Sequence, residues 1–169
     1  MKLFTFLLLV SLNGFASTQC ELSIVDDKFF VLNSGNGEQV SDYHYNLNSL
    51  SKELINLKSE GKCLKFTNHT CSIKIHEDKP SIYSEAFDAN KMRISKPRFS
   101  TVHLVDDFKL LKKMGVCESL PSYNCKVNAL KNDITAVYTE KNERISSFEL
   151  SRFYTYADLQ RYKRAGICK

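Results

Sequence analysis

The chain has 169 residues, six cysteines and a formal net charge of +5. A length of this order fits one domain-sized body once a leader is removed. After the first residues no stretch is long and apolar enough to cross a bilayer, so the sequence argues against a membrane-spanning protein.

The N-terminus, residues 1–18, has the pattern of a secretory signal peptide. A positively charged start is followed by an apolar run, Leu3–Val10, that is too short to span a membrane. Small and polar residues come next, and we expect cleavage after Ala16 or Thr18. The sequence therefore predicts an extracytoplasmic protein, either secreted or periplasmic.

A short motif occurs three times and ends each time at a cysteine. Each copy has an acid, two large apolar residues three positions apart, Lys, Gly and Cys at identical offsets: 53–63, 107–117 and 158–168. A fixed period of about fifty residues is the mark of repeated supersecondary units. The motif predicts first, second and third segments, 19–63, 71–117 and 125–169, joined by the linkers 64–70 and 118–124.

Each segment opens with a cysteine and alternating apolar residues, as in Cys20–Ile24. Period-two alternation predicts a half-buried strand, and a second β-rich run follows it. A turn comes next, clearest at Ser34–Gly37, and then a third extended stretch. This stretch carries an apolar residue and a serine at a fixed distance before the last glycine of the segment: Val40-Ser41, Ile94-Ser95 and Ile145-Ser146.

A helix is predicted to close each segment, because large apolar residues recur at helical spacing, as at Leu50 and Leu54. A glycine near its end, such as Gly61, permits the left-handed conformation that stops a helix. In the third segment Thr155 and Asp158 have the spacing of a capping box, which predicts a helix start at Thr155. The motif acids are predicted near the positive ends of the helix dipoles: Glu53, Asp107 and Asp158.

An even number of cysteines in an exported chain predicts three disulfides. Close cysteine pairs of the Cys-x-x-Cys kind are missing from the sequence, so no metal site is predicted. The pairing that we prefer lies within segments: Cys20–Cys63, Cys71–Cys117 and Cys125–Cys168. The alternative joins Cys63–Cys71 and Cys117–Cys125 across the linkers and Cys20 to Cys168, and sequence alone leaves both open.

The second segment is longer than the others, with 46 positions between its cysteines against 43 in the first and third. We predict the additional residues around Tyr83–Asn90, because repeats tolerate insertions in loops. The predicted fold is α+β. It consists of three tandem ββα-like repeats, each with two or three short strands and then one helix, stapled by disulfides.

Charge is polarised along the chain. The first segment has four lysines and seven acids between its cysteines, giving −3, whereas residues 125–169 have nine basic and five acidic residues, giving +4. Such asymmetry steers encounters with charged partners.

The third segment also combines basic and aromatic residues, and Arg and Tyr are frequent anchors in interfaces. We predict that a binding surface, if the chain has one, is built from Arg152, Tyr154, Tyr156, Arg161, Lys163 and Arg164. The alternative puts Phe153 and Tyr162 in the core and leaves the basic residues of the helix end in water.

No catalytic motif is present: neither a Gly-x-Ser-x-Gly elbow, nor a phosphate loop, nor a His-Glu-x-x-His helix. The histidines occupy non-equivalent places, and a general base needs a positioned partner: His44, His69, His76 and His103. We therefore predict no catalytic residue and no cofactor. Asn68 begins an N-glycosylation sequon that matters only in a eukaryotic host.

These features favour a non-catalytic binding or interaction module over an enzyme. Stacked repeats multiply surface, which suits recognition of a protein or a polymeric ligand, and export argues against a nucleic-acid partner. Two alternatives stay open: a small secreted hydrolase acting on cell-wall or extracellular polymers, and a secreted enzyme inhibitor. The oligomeric state is also open.

Overall fold

The computed structural model describes residues 18–67, 69–77, 82–129, 134–146 and 150–169. The predicted signal peptide, up to residue 17, and Asn68 lie outside the described residues. The predicted α+β class is confirmed. The elements in chain order are β1 (Gln19–Val25), β2 (Lys28–Asn33), α1 (Leu47–Ser59), β3 (Lys65–Phe66), β4 (His69–Thr70), β5 (Ser72–His76), β6 (Tyr83–Phe87), α2 (Thr101–Met114), β7 (Cys117–Ser119), β8 (Lys126–Ala129), β9 (Ile134–Tyr138), β10 (Leu150–Ser151) and α3 (Arg152–Arg164).

Each segment begins with an antiparallel hairpin: β1–β2, β5–β6 or β8–β9. Asp26 and Asp27 form the first turn with φ of 48° and 56°, a left-handed conformation that aspartate tolerates and that suits a two-residue hairpin. Six residues separate the last paired positions of the second hairpin, His76 and Tyr83, against two in the first and five in the third. The predicted insertion around Tyr83–Asn90 is therefore wrong. The additional residues precede Tyr83, because a turn absorbs extra length without disturbing the strand register.

A buried serine joins the third stretch of every segment to its hairpin. Its hydroxyl accepts a backbone N–H from the second strand, at 2.7, 2.7 and 3.0 Å: Val31 to Ser41, Ala86 to Ser95 and Val137 to Ser146. The residue before each serine donates its own N–H to the carbonyl of the same strand residue. Because a side chain replaces one backbone acceptor, the predicted third extended stretch forms isolated bridges at residues 39–44 and 93–98.

The helices bury one apolar face each and stop at glycine. In α1 the buried face consists of leucines at helical spacing, and Asn46 caps the start by accepting the Ser49 N–H at 2.9 Å. The predicted helix stops are confirmed by positive φ angles of 70°, 85° and 77° at Gly61, Gly115 and Gly166.

The predicted start of the third helix is wrong, since α3 begins at Arg152 and Thr155 lies inside it. The buried Thr155 hydroxyl accepts from the Thr135 hydroxyl at 2.7 Å and donates to the Thr135 carbonyl at 3.0 Å, so it anchors α3 to β9. The predicted positions of the motif acids, near the positive ends of the helix dipoles, are also wrong. They lie in mid-helix, where they form ion pairs rather than cap a dipole: Glu53 with His44, Asp107 with Arg98, and Asp158 with Arg161.

Three disulfides are present, as predicted, and they join cysteines within segments: Cys20–Cys63, Cys71–Cys117 and Cys125–Cys168. The chain enters and leaves each segment side by side, because β1 pairs in parallel with β3, β4 with β7, and Tyr123 with Cys168. Disulfides of this number are typical of extracytoplasmic proteins.

The helices share one apolar core, in which α2 contacts both α1 and α3. Seven residues of α2 are buried, against four in each of the other helices, so α2 lies in the middle. Within the ranges that the structure describes, no helix has the length and apolar character needed to cross a membrane.

Candidate functional site

Four exposed side chains cluster at the start of α3. Phe153 is 78% exposed, Tyr154 60% and Tyr156 44%, and Arg152 is exposed beside them. We call these four residues the aromatic surface. Burial of aromatic rings contributes strongly to interfaces, so exposed rings at this density mark a candidate binding site.

The aromatic surface borders a cleft of about 600 Å³ between the β8–β9 hairpin and α3. On the hairpin side, the cleft is lined by Val127, Ala129 and Thr135. The Arg152 guanidinium lies 5.8 Å from the centre of the Tyr156 ring. The Phe153 and Tyr154 rings pack edge to face, and their centroids are 5.5 Å apart. Cation–π and aromatic contacts of this kind hold the side chains in defined positions before any partner arrives.

The six predicted binding residues fall into two groups. Arg152, Tyr154 and Tyr156 lie in the aromatic surface, whereas Arg161, Lys163 and Arg164 lie in the last turn of α3. Nine residues of helix separate the starts of the two groups, about 13 Å along the axis. Arg161 donates a hydrogen bond to Asp158 at 2.7 Å, so its guanidinium already has a partner within the fold.

Phe153 was left out of the predicted site, and helical spacing could have included it. The core face of α3 is formed by Thr155, Leu159 and Tyr162. Phe153 precedes Thr155 by two positions, which turns it to the other side of the helix, away from the core. The alternative that both Phe153 and Tyr162 are core is therefore half right, because Tyr162 is fully buried.

A second groove, of about 480 Å³, lies on the first segment between the Val40-Ser41 stretch and the second half of α1. The Glu53 carboxylate accepts the Asp42 N–H at 3.1 Å, and Lys62 pairs with Glu60 at 2.7 Å. Glu53 also contacts His44, so the groove holds three carboxylates beside one lysine and one histidine. We call it the acidic groove, defined by Asp42, Glu53, Glu60 and Lys62.

Two ion pairs join successive segments in the same manner. Arg93 lies just before Ile94 and pairs at 3.3 Å with Asp27 in the hairpin turn of the first segment. Arg144 lies just before Ile145 and pairs at 3.3 Å with Glu77 in the hairpin turn of the second segment. The third stretch of each of these segments therefore faces the hairpin turn of the segment before it.

The helices also meet in a repeated direction. A cleft of about 300 Å³ separates Leu47, at the start of α1, from Leu110 and Lys113 in the second half of α2. At the next junction Thr101, at the start of α2, lies against Tyr162 in the second half of α3. The start of one helix thus faces the second half of the next.

Tyr162 is held in this junction as a neutral phenol. Its hydroxyl donates to the Ile145 carbonyl at 2.5 Å, and burial raises its pKa well above the ordinary value. The side chain therefore ties α3 to the third stretch of its own segment while packing against α2.

Arg98 and Asp107 form a two-bond ion pair inside the second segment. The guanidinium Nε and Nη2 atoms donate to Asp107 at 2.6 and 2.9 Å. Burial raises the pKa of Asp107, and the hydrogen bond and charge of Arg98 oppose that rise. The pair joins the third stretch to α2, as His44 and Glu53 join it to α1 in the first segment.

The remaining described histidine contacts are structural in their geometry. His76 Nε2 lies 2.9 Å from Glu85, which also pairs with Arg93 at 3.2 Å, and the His76 ring stacks on Tyr83. His103 is exposed on α2. In the part of the chain that the structure describes, no three His, Cys, Asp or Glu side chains come together to hold a metal ion.

No protein-family model, curated protein or solved structure matches this chain. Its function therefore has to be argued from its own contacts, exposed surfaces and charges.

Proposed function

We propose that this chain is an exported, disulfide-stabilised repeat protein that acts as a non-catalytic binding module for a protein or a polymeric ligand. The single observation that carries the proposal is the aromatic surface. Three rings and a guanidinium are exposed together beside a cleft of about 600 Å³. Soluble chains rarely leave such clusters open unless a partner covers them.

The repeat organisation is part of the proposal, and recurrent contacts support it. The buried serine accepts the same backbone hydrogen bond in each segment, and a disulfide closes each segment at its helix end. Arg93 and Arg144 reach back to the preceding hairpin turn in the same way. Recurrent contacts within and between segments are what stacked repeats produce.

Packing against a neighbour explains why the segments differ in burial. In the proposed stack the first helix position of α1 and α2 faces the next helix, and Leu47 and Thr101 are each only 2% exposed. The equivalent residue of α3 is Arg152, which is exposed. In the proposed stack, the aromatic surface is therefore the side of α3 that is open to a partner.

Retention of a partner tests this function. The exported, oxidised protein is immobilised and exposed to its native medium, in parallel with Phe153→Ala/Tyr156→Ala and with the control Met92→Ala. Met92 is 60% exposed on the second segment, so the control removes a comparable apolar side chain elsewhere. We expect wild type and control to retain the same partner and the double variant to lose more than about tenfold. Equal retention by all three proteins, or by none, would contradict the proposal.

The hydrolase and inhibitor alternatives stay predictions. Turnover of polysaccharide or peptide substrates by the wild-type protein, abolished by His76→Ala or Glu85→Ala, would favour the hydrolase over the binding module.

A further inference from the structure

We propose that the aromatic surface docks on the acidic groove of a second copy of this chain, so that the stack of segments continues from one molecule into the next. The inference rests on the repeat organisation and the binding surface proposed above. It names the partner of that surface.

The internal junctions between helices run in one direction. The start of α1 faces the second half of α2, and the start of α2 faces the second half of α3. The start of α3, which carries the aromatic surface, is thus the side on which a further segment would add. The second half of α1 is the corresponding free side at the other end.

The acidic groove lies where a preceding segment would pack. One wall is formed by residues 39–42, which correspond to residues 93–96 of the second segment by their distance from Ser41 and Ser95. In the second and third segments this stretch meets the preceding segment, through Arg93 and Arg144. In the first segment the same stretch lines an open groove, as a surface awaiting a preceding segment does.

The aromatic surface and the acidic groove are also chemically complementary. The incoming surface carries Arg152 with its rings, and the receiving groove carries Asp42, Glu53 and Glu60 against Lys62. Opposite charges steer the encounter and select the orientation. Apolar surface is also present on both sides, since Ile55 on the outer side of α1 is 70% exposed and Phe153 is 78% exposed.

The two surfaces are different, so the contact is head to tail. A copy that docks by its aromatic surface still has a free acidic groove, and the next copy can add there. Heterologous contacts of this kind build open chains, or rings if the rotation closes.

Complementary variants test the contact. Phe153→Glu/Tyr156→Glu disables only the aromatic surface, and Asp42→Arg/Glu60→Arg disables only the acidic groove. All four residues are exposed, so the fold is expected to survive, which circular dichroism of the oxidised proteins checks. Met92→Glu is the matched control, an exposed apolar residue changed to the same acid outside both surfaces.

Sedimentation velocity of the exported, oxidised protein gives the readout. We expect the mean mass of wild type and control to rise with concentration, and each double variant to lose more than about tenfold in association constant. An equimolar mixture of the two double variants keeps one intact surface of each kind. It should form a particle of two chains and nothing larger.

Three outcomes decide the matter. A mixture that forms the two-chain particle supports the head-to-tail contact. A wild-type protein that stays a single chain at every concentration overturns it, and so does a mixture that fails to pair. If the native partner is nevertheless lost from Phe153→Ala/Tyr156→Ala in the retention experiment, the proposed function stands and only its assignment to a second copy fails.

Discussion

The first and third segments are built alike and present different surfaces. In both, a disulfide joins cysteines 43 positions apart, and a buried serine hydroxyl bonds the third stretch to the hairpin. Both also end in a helix of 13 residues. They differ at the start of that helix. α1 buries Leu47 and Leu50 there, whereas α3 exposes Arg152 and buries the hydroxyl-bearing Thr155.

The difference separates two kinds of position. Residues that hold a segment together recur because every segment faces the same problem of folding with little core of its own. Residues at the start of the helix follow what lies against them: another helix in the case of α1, and solvent or a partner in the case of α3.

The largest expected effect is the loss of a disulfide, and it should be equal in the two segments. Cys20→Ala/Cys63→Ala and Cys125→Ala/Cys168→Ala each open a loop of the same length, for which the chain-entropy argument gives about 4 kcal/mol. Urea unfolding of both variants gives the free energies. A clearly smaller loss in the third segment would show that the two frameworks are not equivalent.

The second largest loss of stability is expected at the start of the helices, where α1 and α3 differ. Leu50→Ala removes a fully buried leucine and should cost about 2–5 kcal/mol. At the equivalent position, Thr155→Val keeps the volume but removes the hydrogen bonds with Thr135, which should cost about 1–2 kcal/mol. Thermal and urea unfolding of the two proteins measure the difference, and Ile55→Ala serves as an exposed control on α1.

Loss of the serine hydrogen bond should lower the free energy of unfolding by a similar amount in the first and third segments. Ser41→Ala and Ser146→Ala each leave a buried backbone N–H, of Val31 or Val137, without its acceptor, at a cost of about 1–3 kcal/mol. Hydrogen exchange at those two amides, together with urea unfolding, checks the prediction. Protection that is unchanged in either variant would argue against a shared framework role.

The smallest effect concerns the middle segment and depends on pH. Burial raises the pKa of Asp107 above its ordinary value of 3.8, so the folded protein holds this proton when the unfolded chain has released it. The contribution of Asp107 to stability is therefore greatest below that value and falls as the pH rises through the folded pKa. Asp107→Asn lacks the titrating proton.

The stability of wild type relative to Asp107→Asn should accordingly decline as the pH rises above about 3.8, and level off once the pH exceeds the folded pKa of Asp107. Urea unfolding across this range measures it. Asp106→Asn, at the exposed neighbouring position, controls for the change in net charge. A relative stability that rises with pH would mean that Arg98 outweighs burial.

Much of the framework could be predicted from sequence, because its signals are local. Alternating apolar residues after Cys20 indicated the hairpin, and Gly61 and Gly115 indicated the helix stops, since each depends on backbone conformation at one place. The α+β class and the three disulfides followed from such signals together with the cysteine count.

What could not be predicted depends on contacts between distant residues. The spacing of Thr155 and Asp158 predicted a local capping box, but the Thr155 hydroxyl is hydrogen-bonded to Thr135 on β9 instead. The pairing of Arg93 with Asp27 joins residues far apart in sequence, and no spacing rule reaches that distance.

The disulfides connect the point where the chain enters each segment to the point where it leaves. Mechanical tension applied between the two ends would therefore travel through three sulfur bridges and two linkers, 64–70 and 118–124, bypassing every hairpin and helix. At full contour length the oxidised stretch between the outermost cysteines reaches about 70 Å, and the reduced one about 500 Å. Pulled from its termini, the oxidised protein extends only through its linkers, and its hairpins and helices carry no load.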